Sequence, residues 1–131
     1  MNRGQFLPPD HAKGDPNTIG GYAAVHGRPA AFEGADGFSY SVEILTDTTG
    51  TTPAPWGAYL FFVKWSRVGA QAPEGHLESE FLATADTEEE ARRRLGAVPL
   101  QDVKRVLDEL IAAHRDVAPT RRWSDAMPDD T

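Results

Sequence analysis

The sequence predicts an α+β domain in which an antiparallel β-meander of about four strands is followed by two C-terminal helices packed on one sheet face. Three patterns carry this expectation. Residues 38–44 alternate between apolar and polar side chains, the period of a half-buried strand. Residues 56–66 are apolar at both parities, the mark of a strand covered on both sides. From Leu100 onward, Val103, Val106, Leu107, Leu110 and Ile111 recur at helical spacing and form one stripe.

A chain of 131 residues has the length of one domain and can bury a core without covalent staples. Residues 1–21 hold Pro8, Pro9, Pro16 and few large apolar side chains, so they read as an extended or partly disordered arm. Residues 22–116 hold the single α+β domain. Residues 117–131 read as a tail, with Pro119, Pro128 and two terminal aspartates, in which Trp123 is the one adhesive residue.

Within the domain, residues 22–25 are a short strand candidate and residues 29–33 a second, with Pro29 suited to its edge. The sequence Gly34-Ala35-Asp36-Gly37 marks a turn before the alternating strand. A loop rich in Thr, Gly and Pro leads into residues 56–66, and residues 76–83 make the last strand. Thr87 and Glu90 fit a capping box. Glu88, Glu89 and Glu90 stand four residues before Arg92, Arg93 and Arg94, the favourable order for ion pairs along a helix. Gly96 stops that helix, and Pro99 suits the first position of the next, over residues 99–115.

One register for the last hairpin sets Trp65 opposite Leu77, Phe61 opposite Phe81 and Tyr59 opposite Ala83. Tyr59, Phe61, Val63 and Trp65 then join Leu77 and Phe81 in an apolar layer facing the helices. The other face pairs Lys64 with Glu78, Phe62 with Glu80 and Leu60 with Leu82. It is half apolar and lacks a cover, so Leu60, Phe62 and Leu82, with Trp123 from the tail, are the candidate interface residues.

Chemistry-bearing patterns are sparse. His76, Glu78 and Glu80 alternate on the last strand and project from one face, the arrangement from which a divalent metal can be held with help from a neighbouring strand. No serine lies in a nucleophile elbow, no glycine-rich phosphate loop follows a strand, and residues 10–15 lack the acids of a calcium loop. With no cysteine, disulfides and thiol chemistry are excluded. The net charge of −7 disfavours nucleic-acid binding. No apolar run approaches the ~20 residues of a membrane span, and no secretion signal is expected.

The expectation is therefore a cytoplasmic interaction or accessory protein, non-enzymatic and without cofactor, that forms a homodimer or binds a protein partner through its half-apolar sheet face. Two alternatives stand beside it. One is a small-ligand or metal-binding domain, and so a possible enzyme, built on His76, Glu78 and Glu80. The other is an acidic immunity- or inhibitor-type protein that binds a basic partner.

Overall fold

The computed structural model describes residues 9–66 and 73–117, the side chains of 115–117 excepted. A 3₁₀ turn over His11–Lys13 leads to α1 (Ile19–His26), and the sheet follows. β1 (Ala31–Glu33), β2 (Ser39–Thr48), β3 (Trp56–Trp65) and β4 (Pro73–Glu78) lie side by side in chain order, all antiparallel. β5 (Ala83–Ala85) pairs with the other end of β3, next to β4 along the same edge. Two helices, α2 (Glu88–Gly96) and α3 (Leu100–Val117), come last. The α+β class is thus the one expected: an antiparallel meander with two C-terminal helices, to which α1 adds a third.

Residues 22–25, expected as a strand, are the middle of α1. Local capping explains the difference. Thr18 Oγ accepts the Gly21 N–H at 3.0 Å, and Gly27, in the left-handed region, returns its N–H to the Ala23 carbonyl at 2.8 Å. The backbone before α1 is tied down as well. Asp10 N–H bonds to the Val25 carbonyl at 2.9 Å, and Leu100 N–H to the Asn17 carbonyl at 2.8 Å. Residues 10–21 of the expected arm therefore belong to the folded body. α1 crosses α2 at Gly20, where a Cβ would lie 2.9 Å from Gly96 Cα; only glycine allows the two backbones so close.

All three helices lie on one face of the sheet. From the strands, Tyr40, Val42, Leu60 and Phe62 are buried there, and from the helices Leu95, Val103, Leu107 and Ile111 meet them. Burying one such side chain is worth about 1.5–3 kcal/mol, so this layer holds the fold together. The cap of α2 forms as expected, with Thr87 Oγ accepting the Glu90 N–H at 3.1 Å. The carboxylate of Glu90 turns instead to Arg93 and Arg94, whose hydrogen bonds hold it below the usual carboxylate range.

The register of the last hairpin corrects the expected one. Phe61 faces Glu78, not Phe81, and Val63 faces His76. The slip is by three residues, an odd number, so it moves the side chains of β4 to the other face relative to β3, and Leu77 shares a face with Phe62 instead of Trp65. Leu60 and Phe62, expected on an open face, are fully buried beneath the helices. Lys64 does not pair with Glu78; its Nζ lies 4.0 Å from the centre of the Phe38 ring. Trp123 and the rest of the expected tail beyond residue 117 lie outside the described residues.

Candidate functional site

The face of the sheet away from the helices follows from strand parity. On β3 it presents Tyr59, Phe61, Val63 and Trp65, all half-buried, and on β2 it presents Ser41, Glu43 and Leu45 beside them. His76 and Glu78 continue the rows onto β4, opposite Val63 and Phe61. Among the described residues no helix covers this face: the buried residues of α2 and α3 all join the core on the other side. Among the described residues the half-apolar face left without a helix is thus the one opposite to that expected.

Contacts across the strands fix the side chains in place. Trp65 Nε1 donates to Ser41 Oγ at 3.1 Å, which lays the indole along the sheet. The Phe61 and His76 rings stack with centroids 5.0 Å apart. His76 Nε2 lies 3.3 Å from Glu78 Oε2, and both side chains are about half exposed. Of the three residues expected to hold a metal, His76 and Glu78 are thus brought together, and Glu80 lies beyond the end of β4. Among the described residues no group of three or more His, Asp or Glu is placed to bind a metal ion.

The connection from β4 to β5 shapes the far end of this face. Between the Phe61–Glu78 and Ala58–Ala83 pairs, β3 advances three residues while the other chain segment advances five. The two extra residues make a bulge. Ser79 holds it against β3: its N–H donates to the Leu60 carbonyl at 3.0 Å, its Oγ accepts the Leu60 N–H at 2.9 Å, and that hydroxyl donates to the Glu80 carbonyl at 2.7 Å. The bulge carries Phe81 over Gly57, where a Cβ would come within 2.4 Å of the ring, and edge-on to Tyr59 at 6.0 Å. Phe81 and Leu82 are 39% and 40% exposed, large apolar side chains left facing water.

Asp47, Glu78 and Glu80 surround Tyr59 and Phe81 and complete a cleft of about 320 Å³. Aromatic and acidic residues lining one cleft suit a guanidinium or ammonium group, which gains from ring faces and from negative charge together. Sequence reasoning placed Phe81 under the helices and missed this cleft. The signal that could have revealed it is β2, whose apolar row Tyr40, Val42 and Ile44 pairs with the even-numbered residues of β3 and so assigns those to the core.

Comparison with protein-family models, with curated proteins and with solved structures returns no match to this chain. No helix among the described residues is long and apolar enough to cross a membrane.

Proposed function

We propose that the protein is a binding module that docks a partner protein's arginine or lysine side chains on the open face of its sheet. The observation that carries this reading is the cleft in which Asp47, Glu78 and Glu80 ring Tyr59 and Phe81. Beside it run Phe61, Val63 and Trp65, enough apolar surface to seat the apolar part of such a partner. Glu33 and Glu43 project from the same face, so its rim is acidic, in keeping with the net charge of −7. This is the surface an inhibitor-type protein presents to a basic target.

The test is fluorescence polarisation with a labelled arginine-rich peptide and its glutamine counterpart. The protein should bind the first and not the second. Glu78→Gln with Glu80→Gln should weaken binding by about tenfold, the loss of one or two charge-assisted hydrogen bonds. Equal affinity for both peptides, or indifference to the two substitutions, overturns the reading.

Face-to-face pairing of two copies is the second reading, favoured by the aromatic row on β3. It sets the acidic rims against each other. Light scattering at micromolar concentration checks it: a dimer that Phe61→Glu converts to monomer supports it, and a monomer in both leaves the basic partner as the occupant.

A further inference from the structure

A larger cavity, about 770 Å³, opens on the helix side of the sheet between α1, the first half of β2 and α2. It is independent of the open face described above. We infer that this cavity is a binding site for a small organic anion, a carboxylate or phosphate monoester carried on an apolar body.

Its walls carry little side-chain bulk, and their glycines bring backbone segments together, Gly14 against Gly21 and Gly20 against Gly96. Gly14, Gly21 and Gly27 line it with Ala23 from α1, and Gly96 and Ala97 close it from α2. Its floor is apolar, formed by the buried residues Ile19, Ala30 and Val42 and the half-buried Ile44. Volume and floor together match a small-molecule site, whose usual range is roughly 300–1,000 Å³.

The rim supplies the charge. Four of the chain's thirteen Lys and Arg residues, Lys13, Arg28, Arg92 and Arg93, line this one cavity in a protein of net charge −7. Two acids line it too, and of these Glu43 points away from it. Asp15 Oδ1 accepts the Asn17 N–H at 2.9 Å, and Glu43 projects to the opposite face of the sheet, opposite Phe61. Of the cations, Arg93 is neutralised by Glu90. Arg28 bonds the uncharged Tyr22 hydroxyl at 2.8 Å, and Arg92 donates to the Ile44 carbonyl at 2.8 Å with Glu88 at 3.9 Å. Among the described residues neither Lys13 nor Arg28 forms an ion pair. Uncompensated positive charge at the mouth of an apolar cavity selects a ligand with an anionic head and an apolar body.

The experiment is a titration of the isotope-labelled full chain with hexanoate, hexyl phosphate and hexanol, followed by amide NMR. Either anion should shift the amides of Gly20, Gly21, Gly27 and Ala97, the tighter of the two identifying the headgroup. Hexanol should bind at least about tenfold more weakly. The exposed pair Lys13→Ala with Arg28→Ala should remove that advantage without disturbing the rest of the spectrum, and Ala23→Phe should block the cavity to all three. The inference fails if these amides stay silent with both anions at millimolar concentration. It fails equally if hexanol matches the anions, if the double variant binds like the parent, or if the shifts fall on the open sheet face instead.

Discussion

Tyr40 shows how a single side chain serves both the core and a turn. Its ring is buried in the helix-covered layer, and its hydroxyl reaches Asp36, donating to Oδ2 at 2.7 Å while Oδ1 accepts the Phe38 N–H at 3.1 Å. Burial first, then the hydrogen bond to Asp36 and its charge, hold the hydroxyl proton well above the usual tyrosine range. A group that keeps its proton longer in the folded state lends stability at pH values below the unfolded tyrosine value of about 10 and loses it above. Stability should therefore fall as the pH rises past about 10, more steeply in the parent than in Tyr40→Phe. At neutral pH the substitution should cost about 1.5–3 kcal/mol, the worth of a hydrogen bond to a charged acceptor. Urea midpoints of both proteins across that range check it; parallel curves would falsify the assignment.

Elements of this fold differ in how far local signals decide them. α2 is decided locally: Thr87→Ala should cost about 1 kcal/mol of stability by leaving an amide of the first turn unpaired. α3 is decided by its stripe, and Leu107→Ala, at a fully buried position, should cost about 2–5 kcal/mol. Denaturant unfolding of the two variants should preserve that ranking. Both helices and the two long strands were legible in the sequence for this reason, since cap, stripe and alternation each act within a few residues. α1 was not, because two caps around a glycine- and alanine-rich octapeptide outweigh a hydrophobic pattern too weak to choose a period. Nor could β3 announce which of its faces meets the helices, because both are apolar. Its register with β4 depends on two extra residues near Ser79, and insertion of a bulge leaves no trace in alternation. Of the candidate site residues, His76 and Glu78 were placed correctly on one face. The cavity lined by Lys13, Arg28 and Arg92 gathers segments distant in sequence, so no local pattern could collect them.

At the scale of the whole molecule, the two candidate sites lie on opposite sides of the sheet and differ in charge. The open face bears Glu33, Glu43, Asp47 and Glu78, and the cavity with its unpaired cations opens among the helices on the other side. Binding of a basic partner on the open face should therefore weaken as ionic strength rises and screening shortens to a few ångströms, a dependence that polarisation measurements across salt concentrations will read directly.

The sheet's borders carry a last consequence. β1 pairs with only Ser39, Tyr40 and Ser41 of β2, and the Ile44 carbonyl further along that strand is occupied by the Arg92 guanidinium. On the opposite border, β4 and β5 are short and separated by the bulge. Among the described residues neither border offers a long flat template for an incoming strand, so concentrated solutions should resist fibril growth. Arg92→Ala, which frees the Ile44 carbonyl, should shorten the lag before thioflavin-positive filaments appear on agitation.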